Sequence, residues 1–517
     1  MRSTRVLSVA VGLVVQGALW VSPISAQSKA AAPDLRGVDQ VIETMMADFH
    51  VPGLGVGIIK DGQIVMAKGY GFRDVEAAKP VTSRTLFAIG SNSKSFTTTL
   101  LAMLVDEGKL DWNKPVRTWL PDFELYDDYA SRNMTPMDLV SHVSGLPRHD
   151  AVWYGRAFTR NQIFQRLKYL EPNTSFRNVW QYNNLMFLSA GVLSERITGK
   201  SWEEQVRGRL FAPLGMTRST TSVSEMTKAD DFSYPYDYTD GKVARIPFRQ
   251  IDAVGPAGSI NASVDDMLKY VSFRMHFGAW EGKQLVSAKQ DSVMQTSRAV
   301  VPGAWLFAGV PELGPDTYAL GLGVVGYRGH KVVIHGGGID GFISQMGWLP
   351  NDKIGFVILS NTGNTDGGGN PLPNALALYL VDRMLGLPPL DWTGTARKQT
   401  KMADSAMKAM RAADSKTRVA GTTPSRALAD FAGRYEHPGY GVLEIHAGAK
   451  GLDMALDDIK VPLEHVHYDV FAVAPKAMLS GRVTFALDEK GGVTSVSIPI
   501  EASVKPIVFT RIKPAKP

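Results

Sequence analysis

The sequence predicts an α+β protein in which helices flank an antiparallel sheet, followed by a small all-β, barrel-like domain. A hairpin pattern over residues 54–67 and a series of strand patterns over residues 318–360 enclose a region of helical periodicity. Strands at both ends of such a segment pair most simply in one antiparallel sheet. Short alternating runs over residues 441–511 then predict the second, all-β unit.

The elements of the first unit follow from periodicity and turn residues. An Asp61-Gly62 turn separates two short apolar runs, as in a β-hairpin. Residues 111–180 predict helices and loops, and residues 217–250 predict loops or short strands. Helical spacing occupies residues 36–50, 96–108, 185–210, 264–277 and 372–385. Strand patterns occupy residues 54–59, 64–67, 318–325, 331–335, 343–349 and 355–360.

Length and composition place the domain boundaries. The 517 residues exceed one ordinary domain, and we assign residues 27–387 to the first. Residues 388–424 begin with two prolines, end in Gly-Thr-Thr-Pro and form a predicted linker with a helical middle. Residues 425–517 form the predicted all-β domain. Its strand patterns are residues 441–446, 453–456, 470–473, 482–487, 494–498 and 505–511.

The amino terminus has the pattern of a secretory signal peptide over residues 1–26. Arg2 and Arg5 precede a mostly apolar stretch, and Ile24-Ser25-Ala26 ends on a small residue suited to cleavage. The apolar part is short and is interrupted by polar residues, which disfavours a membrane anchor. The sequence therefore predicts a secreted or periplasmic protein, with no membrane span in the mature chain.

Composition excludes several classes of function. The net charge of +6 is small for this length, and no Lys/Arg block of the kind that binds nucleic acid is present. Absence of cysteine excludes disulfides, thiol catalysis and thiolate metal sites. We therefore expect a small-molecule or peptide substrate, no nucleic-acid partner and no cofactor, with a homo-oligomer as an open alternative.

The stretch FAIGSNSKSFTTTLLAMLVDEGKL, residues 87–110, places Ser91 at a helix entrance and Lys94 one turn further on the same face. A serine hydroxyl is a poor nucleophile until a base removes its proton, and a desolvated lysine amine can do so. The helix amino terminus adds donors for an oxyanion formed at the serine. S-x-x-K is a nucleophile motif, although serine and lysine are too common for it to be specific alone.

Two further stretches support this hypothesis. Tyr182 and Asn184 directly precede a strong helical pattern. A phenol beside a cationic lysine can be drawn toward phenolate and relay the serine proton, and the asparagine can hold a substrate amide.

The second stretch is His335-Gly336-Gly337-Gly338, at the end of a predicted strand. Glycines such as Gly337 allow a substrate to approach the strand closely, and the amide of Gly338 can serve as a second oxyanion donor beside that of Ser91. We expect His335 to project beside the nucleophile.

With these motifs, the chain resembles the β-lactamase-related serine hydrolases of the class C type. These include D-aminopeptidases, D,D-peptidases, class C β-lactamases and esterases of the same fold. IGSNSKSFT, YNN and HGGG carry the likeness in the family's order over residues 37–386, supported by SHVSGLP, LFAPLGMT, PAGSINASVDDM and HGGGIDGFISQMGWLP. The resemblance implies the β-lactamase/penicillin-binding-protein fold, and for residues 425–517 a lipocalin-like domain that restricts the cleft or supports oligomers.

The resemblance also implies a role for each motif residue. Ser91 becomes the acylated nucleophile, Lys94 its base and Tyr182 the general acid/base. Asn184 orients the substrate and His335 lies across the cleft. The amides of Ser91 and Gly338 form the oxyanion hole, next to Gly337.

One departure bears on the substrate. Related β-lactamases carry a lysine where this chain has His335, and an imidazole of ordinary pKa is only partly cationic at neutral pH. Weaker binding of a substrate carboxylate favours a peptidase acting on small or unusual peptides. A carboxylesterase or a class C-like β-lactamase remains an alternative, and a non-catalytic penicillin-binding or sensor protein a further one.

Other motifs are weaker. His465-Val466-His467-Tyr468-Asp469 superficially matches a metal-binding H-x-H-x-D motif, but no histidine follows it, and we interpret it as a strand with polar faces. We predict no metal site, and we interpret His142 and His149 as structural residues.

Overall fold

A computed structural model describes residues 34–365, 368–415, 417–448, 451–473 and 481–513. The predicted signal peptide lies outside these residues. Within them, no helix combines the length and apolar character that crossing a bilayer requires.

The first unit is built on a nine-stranded antiparallel sheet. Its strands, in spatial order, are Ala299–Val300, Thr317–Tyr318, Gly323–Tyr327, His330–Ile339, Phe342–Leu349, Ile354–Ser360, Gly53–Lys60, Gln63–Asp74 and Lys79–Pro80. Four further pairs of short strands are Phe87–Ala88 with Asn261–Ala262, Tyr236–Thr239 with Lys242–Arg245, Ala279–Trp280 with Lys283–Gln284, and Asn364–Thr365 with Gly368–Gly369.

The two ends of the unit meet at the centre of the sheet, which confirms the predicted α+β architecture. Gly53–Lys60 pairs with Ile354–Ser360, with Leu54 opposite Ser360. Both strands are apolar and almost completely buried, because helices cover both faces of the sheet.

Helices form two cores, one on each face of the sheet. The helices of ten or more residues are Val38–Asp48, Ser93–Asp106, Asn184–Thr198, Val264–Met275, Leu372–Leu385 and Trp392–Ser415. Shorter α-helices are Asp128–Asn133, Pro136–Ser141, Arg160–Phe164, Trp202–Val206, Ala212–Leu214, Val223–Met226, Gly255–Gly258, Ala288–Met294 and Leu428–Phe431. Alternate residues of the Ile354–Ser360 strand point to opposite cores, Phe356 and Ile358 to one and Val357 and Leu359 to the other.

Eight antiparallel strands close into a barrel at the carboxyl terminus. They are Gly433–His437, Gly441–Ala447, Leu452–Leu456, Ile459–His467, Val470–Val473, Arg482–Leu487, Val493–Ile498 and Ile507–Arg511. The barrel confirms the predicted all-β module, but the sequence patterns missed Gly433–His437 and predicted only the end of Ile459–His467. Charged residues interrupt apolar alternation in the first of these, and Pro462 interrupts the second.

Candidate active site

A tight turn places Ser91 against the edge of the sheet. Gly90–Asn92 forms one 3-10 turn directly before the helix Ser93–Asp106. Gly90 has a φ of 50°, and an ideal Cβ on it would lie only 2.7 Å from the Gly338 nitrogen. Glycine is therefore needed for this close approach, which brings the serine backbone beside the strand that carries the predicted oxyanion donor.

Lys94 is completely buried, and its amine is held at three points. Its Nζ lies 2.9 Å from Oγ of Ser91, 2.7 Å from Oδ1 of Asn184 and 2.8 Å from the carbonyl oxygen of Ala257. The structure thus brings the predicted lysine into direct contact with the predicted nucleophile.

The environment of Lys94 favours a neutral amine. Burial, followed by the positive charge of Arg148, lowers the pKa of Lys94 well below its ordinary value, with Asp150 acting in the opposite direction. A neutral amine has two N–H donors and one lone pair. The amide oxygen of Asn184 and the carbonyl of Ala257 can accept both donors. The lone pair is then left to accept the Ser91 hydroxyl proton.

Tyr182 stands beside this pair as a neutral phenol. Its ring centroid is 4.7 Å from Nζ of Lys94 and 5.0 Å from Cζ of Arg148. Burial raises the pKa of Tyr182 above its ordinary value, and a side-chain hydrogen bond with Ser91 opposes this shift only in part. The expectation that Lys94 would draw the tyrosine toward phenolate is therefore wrong, because both groups are desolvated and both favour their uncharged forms.

Asn184 contacts two side chains inside the protein, and its role in holding a substrate amide stays a prediction. Its amide oxygen accepts from Lys94, and its Nδ2 donates to Oδ1 of Asp150 at 3.0 Å. Both ends of the amide are therefore used inside the protein, where they orient the lysine. Asp150 was missed by the sequence analysis, although it follows Arg148 by two residues after the Ser-Gly-Leu-Pro turn.

The glycines after His335 let the strand lie against the serine turn. An ideal Cβ on Gly337 would lie 1.9 Å from the carbonyl oxygen of Ile89. Ser344 donates to that same carbonyl at 2.8 Å and accepts from Nδ2 of Asn92 at 2.8 Å. These contacts lock the turn to the sheet, with the backbone of Gly338 beside Gly90.

His335 is buried and does not offer a cation to a substrate. It is 1% exposed, its Nδ1 donates to the carbonyl of Gly336 at 2.6 Å, and its Nε2 accepts from the Tyr318 hydroxyl at 3.0 Å. Burial, followed by repulsion from Lys94, lowers its pKa to about 3. The expectation of a partly cationic imidazole facing the substrate is therefore wrong, because both ring nitrogens already have partners inside the protein.

Gly337→Ala is expected to destabilise the protein, and Gly338→Ala is its matched control. The first Cβ would meet backbone, whereas the second would meet only Cδ1 of Ile343 at 3.2 Å, the end of a flexible side chain. Overpacking of this kind costs about 1–3 kcal/mol. We expect a clearly lower urea midpoint for Gly337→Ala than for Gly338→Ala. Equal midpoints would show that the turn can move away from the strand.

Two residues of the H-x-H-x-D motif in the barrel, His465 and Asp469, make ordinary hydrogen bonds within the protein. Nε2 of His465 lies 2.8 Å from the carbonyl of Tyr468, and Asp469 accepts from the backbone and hydroxyl of Ser425. Among the residues that the structure describes, no group of three or more His, Cys, Asp or Glu side chains is arranged to hold a metal ion.

A serine at a helix start contacts a buried lysine, a phenol lies beside them, and the serine turn packs against an antiparallel strand. This arrangement is that of a serine hydrolase with an S-x-x-K motif. The chain belongs to the Beta-lactamase family, whose model matches residues 38–380. A domain of unknown function (DUF3471) matches residues 417–511. The domain boundaries at 387/388 and 424/425 stay predictions.

Individual proteins show the same relationship. The chain is 28% identical over 422 residues to the unguisins hydrolase ungD' of Aspergillus campestris, covering 78% of this chain and 76% of that protein. It is 24% identical over 329 residues to Protein flp of Staphylococcus aureus, covering 63% and 62%. In fold it resembles the octameric penicillin-binding protein homologue of Pyrococcus abyssi, with a TM-score of 0.59 and 24% identity over 92% of this chain and 100% of that one.

Proposed function

We propose that this hydrolase acts through an acyl-enzyme formed on Ser91. The observation that carries the proposal is the lysine contact: a buried amine whose two N–H donors face carbonyl oxygens and whose remaining position faces Oγ of Ser91. A neutral amine in that place is a general base for the serine and needs no histidine.

The proposed acylation step follows from this arrangement. The Ser91 hydroxyl gives its proton to Nζ of Lys94 while Oγ bonds to the substrate carbonyl carbon. The amides of Ser91 and Gly338 stabilise the resulting oxyanion. When the carbon–leaving-group bond breaks, the leaving group takes a proton from the hydroxyl of Tyr182, which Lys94 then replaces. A water activated near Tyr182 hydrolyses the ester and restores Ser91.

For the substrate we propose amide bonds of small or unusual peptides first, short-chain esters second and β-lactams third. The neutral, buried His335 supports this order, because the third motif offers no cation for a penicillin carboxylate. The proposed export of the chain would make extracytoplasmic peptides available. A non-catalytic binding or sensor role is the weakest candidate, because the relatives of this chain include proteins named as hydrolases.

The position of Arg148 supports the alternative that the protein hydrolyses β-lactams. Arg148 is a half-exposed cation, with 52% of its side chain accessible, and it lies over the ring of Tyr182. Its Nε is bound to Asp150 at 2.6 Å. The remaining guanidinium donors could receive an anionic group of a substrate held at Ser91.

A three-part substrate screen tests this order. Purified protein is offered D- and L-aminoacyl peptides, short p-nitrophenyl esters and a chromogenic cephalosporin. We expect peptide cleavage in addition to ester cleavage, because Ser91 attacks both carbonyls by the same steps. Ester cleavage alone would not support the order, since p-nitrophenolate leaves more readily than an amine. Rapid cephalosporin turnover with negligible peptide cleavage would reverse the order, and Arg148 would then be the candidate cation for the carboxylate.

A further inference from the structure

The barrel is joined to the hydrolase domain by a polar contact that surrounds one buried histidine. Arg156 donates to the carbonyl of Tyr440 at 2.6 Å and pairs with Asp457 at 3.2 Å. Arg166 donates to the carbonyl of Pro438 at 2.6 Å. The Arg156 contacts connect the barrel to the segment that continues from the Ser-Gly-Leu-Pro turn beside the active site, and the Arg166 contact follows the helix Arg160–Phe164.

His149 is the residue of this contact that is nearest in sequence to the active-site residues, because it directly precedes Asp150. Its ring is 1% exposed, and its Nδ1 accepts from the Tyr440 hydroxyl at 2.7 Å. Its backbone N–H donates to Oε2 of Glu501 at 3.0 Å, and Nε2 donates to the carbonyl of Glu171 at 2.9 Å. Two of the three partners belong to the barrel. The left-handed backbone of His149, with a φ of 47°, needs such external support.

The next residue carries this support into the active site. Asp150 accepts from Nε of Arg148, from Nε1 of Trp153 at 2.7 Å and from Nδ2 of Asn184. The Asn184 amide oxygen in turn accepts from Nζ of Lys94. A continuous series of hydrogen-bonded and adjacent residues therefore runs from the barrel to the lysine.

We propose that the barrel holds the base of the reaction in place through His149, which acts as a positioning residue. This inference rests on the proposed function of Lys94. His149 holds the backbone of the adjacent Asp150 in position, and Asp150 orients the side-chain amide of Asn184 by accepting its hydrogen bond. The oxygen of that amide accepts from Lys94, so the lysine N–H donors point away from Ser91. When the barrel contacts are lost, these side chains are no longer held in position. The lysine amine can then rotate, and water can reach it. The barrel is then a part of the catalytic apparatus as well as a cover for the cleft.

The pH profile distinguishes positioning from general stability. The charged or titratable groups near Lys94 are Arg148, Asp150, Tyr182, His142 and His335. Tyr440→Phe removes no charge near these groups, whereas Glu501→Ala removes a carboxylate that also raises the pKa of Arg148, so the single variant carries the pH test. Water entering the site would favour the charged ammonium, so the acid limb of activity would move to higher pH.

The test compares two variants of the barrel contact with a control in the full-length chain. Tyr440→Phe removes only the hydroxyl that His149 accepts from, and Tyr440→Phe/Glu501→Ala removes both barrel partners. Asp457→Asn weakens the ion pair with Arg156 at the same interface and suits the left-handed backbone of that turn, where φ is 51°. The readouts are kcat and KM on a p-nitrophenyl ester, the pH profile of kcat/KM and the melting temperature.

We expect kcat to fall about 10-fold or more for Tyr440→Phe and further for the double variant, because a displacement of about 1 Å remote from the chemistry can cost about 100-fold. KM should change little and the acid limb should move to higher pH. Asp457→Asn should keep the wild-type kcat and limb. The inference would be overturned if folded Tyr440→Phe kept the wild-type kcat and the wild-type acid limb of the pH profile. It would also be overturned if kcat fell as much in Asp457→Asn as in Tyr440→Phe. A double variant that does not fold leaves the decision to Tyr440→Phe, whereas wild type inactive on every substrate would contradict the proposed function itself.

Discussion

Ser91→Ala is expected to lose turnover by at least about 10⁴-fold and to lose labelling by a fluorophosphonate probe completely. Removal of a nucleophilic serine costs about 10⁶-fold in a well-studied serine protease, and the oxyanion donors preserve only the remainder. Here the lysine lone pair and the Tyr182 hydrogen bond converge on this one hydroxyl. Labelling is measured by mass spectrometry of the intact protein and of the peptide that carries Ser91.

The matched control is Ser175→Ala, which removes an exposed serine at the surface of the same domain. It should keep wild-type labelling and turnover. Labelling that persists in Ser91→Ala, or is absent from active wild type, would place the nucleophile elsewhere. Absence of both labelling and turnover in wild type would instead favour a binding or sensor protein.

Lys94→Met is expected to lower kcat/KM by about 10²–10⁴-fold, the usual contribution of a positioned general base. Methionine is similar in length and apolar, so it fits the buried position and removes only the amine. The loss should be largest at the pH at which the wild type is most active. Lys109→Met, at an exposed lysine just beyond the end of the same helix, should leave activity unchanged.

The pH dependence gives a separate test of the lysine. Activity requires neutral Lys94, so it should rise with pH as the lysine loses its proton. Because burial lowers the pKa of Lys94, this acid limb should lie well below the ordinary lysine value of 10.5. The limb should disappear in Lys94→Met. A limb near 10.5, or one unchanged in the variant, would mean that another group accepts the serine proton.

Regular periodicity allowed most of the hydrolase sheet to be predicted. The mainly apolar run at residues 343–349 predicts a buried strand. The structure has this strand at Phe342–Leu349. The run at residues 318–325 was predicted as one strand but is observed as two, Thr317–Tyr318 and Gly323–Tyr327. Gly321, with a φ of 72°, turns the chain between them.

Residue spacing predicted one contact of the site but not the approach of the glycine strand. Ser91 and Lys94 are three residues apart in sequence, so their contact follows from helical geometry alone. Gly338 reaches Ser91 only because the strand crosses the serine turn, and no spacing in the sequence contains that contact. The glycines at the end of a predicted strand suggested Gly338 as an oxyanion donor, and the family resemblance implied the same role.

By itself, the sequence determined the α+β class, the all-β module and the chemical groups available to the site, because these depend on local periodicity and residue type. Only the tertiary structure decided their states. Burial lowers the pKa of both His335 and Lys94, and burial depends on every element packed around a side chain. The contact between Asp150 and Asn184 forms only when the hydrolase domain folds. The contact between Glu501 and His149 forms only when the barrel packs against that domain.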